Sequence, residues 1–202
     1  MKQLIVIFLC LFSITSIFSQ ENVEWKLKHN KNGTTLHTRF PEVKNKKGKK
    51  ETVFEWKINS TQTISFENCK NAIKNVNNHK KFYDCKESKV LNEINNETVA
   101  YYLFDAPWPM SDMDLIRTIT HSENENIFIS KHISSPEKMK LNDEKRVEIS
   151  EIIYKIKKIN DEKVEIEIIG KFIPVGVPDF LAKSWFPKGP LKVLEELTKA
   201  SK

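Results

Sequence analysis

Arg117 and His121 are the residues of this chain best placed to act on a bound molecule. They stand four apart in an alternating apolar run, and a strand period of two turns both to one face. Such a pair can anchor a polar head group or supply an acid or base, and an exposed surface pair has the same spacing. The other candidates carry less. The five histidines, His29, His37, His79, His121 and His132, are scattered without metal-ligand spacing. Asp112 and Asp114 follow a proline-rich tract, where capping a turn is the ordinary role. No Gly-x-Ser-x-Gly, His-Glu-x-x-His or glycine-rich phosphate loop occurs. The residues therefore favour binding over catalysis and call for no cofactor and no metal.

The first residues bear on where that binding takes place. Lys2, an apolar run over 4–12 and a small residue at Ser19 have the form of a secretory leader. The run is short and is soon interrupted by Ser13 and Thr15, which disfavours a membrane span. We expect residues 1–19 to be removed, leaving one exported domain over 20–202. Thirty-three basic and 27 acidic residues give the chain a net charge of +6, a modest basic excess. Part of it is local, at Lys44, Lys46, Lys47, Lys49 and Lys50 around Gly48. A solvated hairpin loop is the expected form, with transient contact to an anionic membrane surface as the functional alternative. Nucleic acid is disfavoured because no aromatic residues interleave with these lysines. Loss of Cys10 with the leader leaves Cys69 and Cys85, either as a disulfide or as two separate buried thiols.

The elements that must hold Arg117 and His121 can be read from periodicity. Asn32-Gly33 marks a turn into a strand over 34–40. A second strand over 52–58 turns Phe54, Trp56 and Ile58 inward. Ser65 is a good N-cap for a helix carrying Cys69, Ile73 and Val76, which fades at Asn77-Asn78. Alternation then predicts strands at 90–94, at Val99, Tyr101 and Leu103, over 115–121, over 127–133, over 147–156, and at Val164, Ile166 and Ile168. Pro178 suits the start of a helix with Phe180, Leu181, Ser184 and Trp185 on one face. Pro187-Lys188-Gly189-Pro190 must break it, with Gly189 and Pro190 restarting a helix striped by Leu191, Leu194 and Leu197. Seven or more strands with one interrupting helix and a terminal helix predict an α+β fold with a curved antiparallel sheet.

Between two of these strands lies Leu103-Phe104-Asp105-Ala106-Pro107-Trp108-Pro109-Met110-Ser111-Asp112-Met113-Asp114. It resembles the inter-strand turn of START-type lipid-transfer domains, in which a Pro-Trp-Pro tripeptide precedes an Arg-Asp pair. Met113-Asp114 stands at that pair, so the family arginine is missing. The ending, Gly170 to Ile173-Pro174 and a long C-terminal helix, resembles the family as well. Phe82-Tyr83-Asp84-Cys85 stands where related bacterial domains carry a tryptophan-led segment. The likeness covers roughly 25–197 and implies a helix-grip fold, a sheet wrapped around the C-terminal helix with an apolar cavity for one lipid. Its implied lining includes Phe54, Trp56, Tyr101, Trp108 and Ile116. From later elements it includes Phe128, Phe172, Phe180, Leu181 and Trp185, with Arg117 as the polar anchor. The resemblance implies a carrier that does no chemistry; Gly176 and the Pro187-to-Pro190 break supply the joints for the segment over 178–199 to act as its gate, with a static kinked helix as the alternative. Its alternative is a polyketide cyclase-like enzyme using the same cavity.

Overall fold

Asn32 and Gly33, both at positive φ (52° and 69°), fold strand β1 (Lys26–Lys31) onto β2 (Thr34–Arg39). Paired left-handed residues give the turn whose twist suits a tight hairpin, and asparagine and glycine tolerate them best. The computed structural model describes residues 23–45, 47–105, 111–140 and 145–202. The predicted leader, Lys46 and the Pro-Trp-Pro tract with Trp108 lie outside the described residues. A short hairpin of β3 (Glu42–Lys44) and β4 (Lys50–Thr52) follows. The Asn45 side chain accepts from the backbone N–H groups of Lys47 and Lys49 at 2.9 and 3.0 Å. Lys44, Lys47, Lys49 and Lys50 are exposed, so the described part of the lysine run is the solvated hairpin expected of it.

After β5 (Phe54–Gln62) come α1 (Phe66–Lys74) and α2 (Val76–Phe82). Ser65 caps α1 as expected, its hydroxyl accepting from the Asn68 N–H at 3.1 Å. The helix does not fade at Asn77-Asn78. Asn75 closes α1, and its side chain then accepts from the Asn77 N–H at 3.1 Å to open α2. The strands β6 (Glu87–Ile94), β7 (Glu97–Phe104), β8 (Met113–Glu123) and β9 (Ile127–Ser134) form a meander. Beyond a 3₁₀ turn at Pro136–Lys138 come β10 (Lys145–Arg146), β11 (Ser150–Asn160) and β12 (Lys163–Phe172). The chain ends in α3 (Asp179–Ser184) and α4 (Lys188–Ala200).

Ten strands make one sheet in the order β1-β2-β5-β12-β11-β9-β8-β7-β6, with β10 beside β8. The last strand of the sheet thus closes against β5, far earlier in the chain. Antiparallel register sets the inner face: Phe54 lies opposite Phe172, Trp56 opposite Gly170, and Ile58 opposite Ile168. Next door, Ile168 pairs with Tyr154 and Ile166 with Ile156. α1, α2 and α4 cover this face, with α4 against α2, α1 and β5. The Val193, Leu194 and Leu197 stripe of α4 joins Trp56, Ile58, Phe128 and Ile168 in the larger core. This is the α+β arrangement that the order of elements predicts, with the sheet gripping a C-terminal helix as the resemblance implies.

Gly170 shows how close the packing is. A Cβ there would fall 2.1 Å from the Trp56 indole, which is itself buried. Gly170→Ala is expected to destabilise the fold by about 1–3 kcal/mol through overpacking, read as a lowered urea midpoint with unchanged slope.

Two features at the C-terminus depart from expectation. Pro187, not Gly189, precedes α4, and Pro190 is its third residue. Proline is tolerated there because the first-turn N–H groups have no partner inside the helix. The face of α3 expected to pack inward instead faces out: Phe180 is 70%, Leu181 40% and Trp185 38% exposed. Only Ala182 of α3 is buried. Among the described residues, no helix is long and apolar enough to cross a membrane.

Candidate functional site

β8 carries Arg117 and His121 on the inner face, as their spacing predicts: Arg117 lies opposite Ser134 and Ala100, and His121 opposite Ser130. Arg117 is only 4% exposed. Its Nη2 donates to the Ser150 hydroxyl at 2.7 Å, while Nε and Nη1 find no partner. The guanidinium lies against an edge-to-face pair of aromatic rings, 4.7 Å from the centre of Tyr83 and 5.4 Å from that of Tyr102, the two centres being 5.5 Å apart. Ring faces carry partial negative charge and attract a cation. His121 stacks on Phe128 at 5.4 Å and is half-buried. Burial, and then the Lys74 charge, hold its pKa below the usual histidine value.

Around Arg117 the sheet and α2 bring together residues that spacing along the chain does not connect. The His79 Nε2–H donates to the Ile73 carbonyl at 2.8 Å. A neutral ring then has Nδ1 as acceptor, so the Tyr102 hydroxyl, 2.8 Å away, donates to it. His132 is bonded through Nε2 to Ser130 Oγ at 2.8 Å and through Nδ1 to Tyr83 Oη at 3.2 Å. The Tyr83 hydroxyl also meets that of Tyr154 at 3.0 Å. Desolvation is the first cause of every shift in this network. It takes His79 down to about 4 and His132 well below its usual value, and it raises Tyr102 and Tyr154. At neutral pH the network therefore holds one positive charge, on Arg117, surrounded by neutral donors and acceptors.

The network divides two apolar regions. On one side is the core under α1 and α4; on the other are Val76, Ala100, Tyr102, Leu115 and Ile119 beneath α2. Tyr83 touches both and is half-buried. It ends α2, and the next residue, Asp84, has a positive φ of 53°. Asp84 is paired with Lys192 of α4 at 2.8 Å. Burial keeps Cys69 and Cys85 as thiols, with pKa values pushed up to about 12 and about 11, and they are separate.

The residues expected to line a cavity are distributed unevenly. Phe54, Trp56 and Phe128 are fully buried on the inner face. Phe172 stacks on Phe54 at 5.4 Å and meets the Trp185 ring edge-on at 5.8 Å. Tyr101 and Ile116 are buried but pair with each other on the outer face of the sheet. The inward residue of that pair of strands is Tyr102, opposite Leu115. Both faces of β7 and β8 are covered here: Lys89 lies over the Tyr101 ring at 4.9 Å, and Ile116 accepts a backbone bond from Ser135. Alternation cannot distinguish the faces of a strand buried on both sides. Phe180 and Leu181 lie outside the core on α3. A depression lined by Thr35, Asn59, Thr61, Lys155 and Lys157 is on the outer face, away from Arg117.

Asp114 is wholly buried, and Arg146 of β10 grips it from Nε at 2.8 Å and from Nη2. Arg146 Nη1 also donates to the Pro136 carbonyl at 3.0 Å. Among the described residues, no group of three histidine, cysteine or acidic side chains could hold a metal ion.

No protein-family model matches this chain, and no curated protein matches it in sequence. Solved structures do match. A STAR-related lipid transfer protein (fragment 25-204) from Xanthomonas axonopodis superposes with a TM-score of 0.69 at 18% identity, over 87% of this chain and 97% of that one. Human STARD10 gives 0.70 at 17% identity, over 88% and 72%. The Zhui aromatase/cyclase from a Streptomyces is more distant, at 0.54 and 7% identity over 74% and 93%. The fold of this chain is the helix-grip fold of the START lipid-transfer domains.

Proposed function

We propose that this chain binds one hydrophobic molecule between the inner face of its sheet and the C-terminal helices and carries it without changing it. The observation that supports this most is the interior itself. An apolar face gripped by α4 is interrupted by the buried Arg117 with donors to spare, the arrangement that suits an apolar tail with a polar end. An apolar ligand gains roughly 25 cal/mol for each Å² removed from water. α3 fits the step at which cargo is collected. Its exposed Phe180, Leu181 and Trp185 stand beside Lys183, and Thr52 of the lysine hairpin bonds to Asp179. Apolar side chains ringed by lysines suit a brief encounter with an anionic bilayer surface. In the same reading the segment over 178–199 opens as the gate, and export of the mature domain places it at such a surface.

Native mass spectrometry of protein recovered from the exported fraction of its host tests the reading as a whole. The expected spectrum shows a chain lacking residues 1–19 with one co-purified lipid of unaltered mass. Transfer of a fluorescent lipid from anionic vesicles should be several-fold slower for Phe180→Ser, because serine buries far less apolar surface in the bilayer than phenylalanine does. Protein that neither retains nor takes up lipid would remove the carrier function.

A second reading has one observation in its favour. Arg117, His132 and Tyr83 form a buried donor network in a fold shared with an aromatase/cyclase. A guanidinium beside a neutral histidine and a phenol could stabilise an enolate and move a proton. A bound polyketone that changes mass in wild type and not in His132→Gln would establish that reading instead.

A further inference from the structure

We propose that Arg117 selects an amphiphile with a single negative charge on its head, a long-chain carboxylate, whose oxygens bond to the guanidinium while the tail lies among the apolar residues of the interior. This rests on the carrier reading and specifies its cargo. The residue is 4% exposed, yet Nε and Nη1 have no hydrogen-bond partner; Nη2 donates to Ser150, and the neutral hydroxyls of Tyr83 and Tyr102 are the other polar groups near it. Among the described residues no carboxylate lies within ion-pair distance of it. A buried guanidinium with neither counter-charge nor full hydrogen bonding is costly, and an anionic ligand that supplies both relieves that cost.

The surroundings restrict the charge of the ligand. His79 and His132 are buried and neutral, and Tyr83, Tyr102, Tyr154 and Ser130 carry no charge. One positive charge is matched by one carboxylate. A phosphate monoester, close to doubly charged at neutral pH, would leave a negative charge unpaired in the interior. The Ser150 hydroxyl, which accepts from Nη2, keeps its own proton to give to a carboxylate oxygen.

Tyr83 supplies the way in. Its ring covers one face of the guanidinium, it is half-buried, and it sits at the end of α2 rather than within it. Rotation of this one side chain uncovers Arg117, at the point where α4 is tied to the turn by Lys192 and Asp84.

The test uses protein from the full chain, freed of lipid, with hexadecanoic acid and hexadecanol as probes of equal tail and different head. The acid is expected to bind about ten-fold tighter or more, the ratio that a hydrogen bond to a charged group supports. Arg117→Met should bring the two within about two-fold while leaving the alcohol bound. Near-UV circular dichroism verifies that the variant is folded. A measurement on wild type alone guards against a variant that is not: the ¹³C signal of a labelled carboxyl should show bound acid still ionised well below its ordinary range of about 4–5. Equal binding of acid and alcohol by wild type, a preference that survives Arg117→Met, or a bound acid titrating in its ordinary range would each overturn the proposal and leave the carrier reading standing. Binding of neither probe would overturn both.

Discussion

Arg146→Met is expected to lower the unfolding free energy by about 3–5 kcal/mol, the cost of leaving a buried charge without its partner. Asp114 is 0% exposed, and Arg146 meets both of its carboxylate oxygens from one edge of the guanidinium. Methionine retains most of the side-chain volume and removes both donors. The strand pairing of β10 with β8 is parallel and spans only Lys145 to Met113 and Arg146 to Asp114. It has little else to hold it, so the segment leading to β11 should loosen as well. Chemical denaturation gives the stability, and Asp114→Asn in the Arg146→Met background separates charge from packing. If the loss is a buried unpaired carboxylate, the neutral amide recovers a good part of it. A single variant within about 1 kcal/mol of wild type would mean that Asp114 finds water or another donor.

Asp114 also marks where reading the chain from its sequence succeeds and where it stops. Local signals transfer well. Ser65 caps α1, Asn32-Gly33 makes its hairpin, and Phe54, Trp56 and Ile58 face inward. The spacing of Arg117 and His121 places them together on the inner face because a strand has a fixed period. The helix-grip order follows from such elements in sequence. What fails depends on distant parts of the chain. Tyr101 and Tyr102 are both buried, so period two cannot select the inward ring, which is Tyr102 and not the expected Tyr101. α3 has an amphipathic look, but none of the described residues covers Phe180 and Leu181, which are exposed. Arg146, the partner of the buried Asp114, comes from a strand of only two residues, too short to show a period.

The network beside Arg117 is hidden for the same reason. His79 is on α2, Tyr102 on β7, His132 on β9 and Tyr154 on β11. No spacing along the chain connects these residues. The only advance sign is that Tyr83 and His79 lie near a segment that resembles the family, without any hint of their partners. A histidine of this kind can be recognised only when the strand that holds its hydrogen-bond partner is known. The chemical consequence is that a site read as an isolated Arg-His pair is a charged centre in a neutral, hydrogen-bonded shell. His121, the residue expected to work beside Arg117, stacks on Phe128 instead.

That shell predicts a protein sensitive to mild acid. His79 is fully buried, and desolvation holds it at about 4 against an ordinary 6.5, with the charge of Arg117 acting in the same direction. His132 is lowered by burial too, and then by His79 and Arg117. Above pH 6.5 neither state of the protein protonates them, and their contribution to stability is fully present. As pH falls from 6.5 towards 4, the unfolded chain gains protons that the folded chain does not, and stability declines. For His79 alone the loss approaches about 3 kcal/mol by pH 4, and His132 adds to it. The carboxylates lowered by lysine partners, Glu123 and Glu195, lose their contribution only below their ordinary 4.5. They are largely solvent-screened, so they contribute little. Urea unfolding between pH 7.5 and 4.5 should show the decline begin near 6.5, and His79→Gln should flatten it while lowering the plateau. A flat profile down to pH 5 would mean that the folded protein protonates these histidines as readily as the unfolded chain does, and their desolvation beside Arg117 would then be wrong.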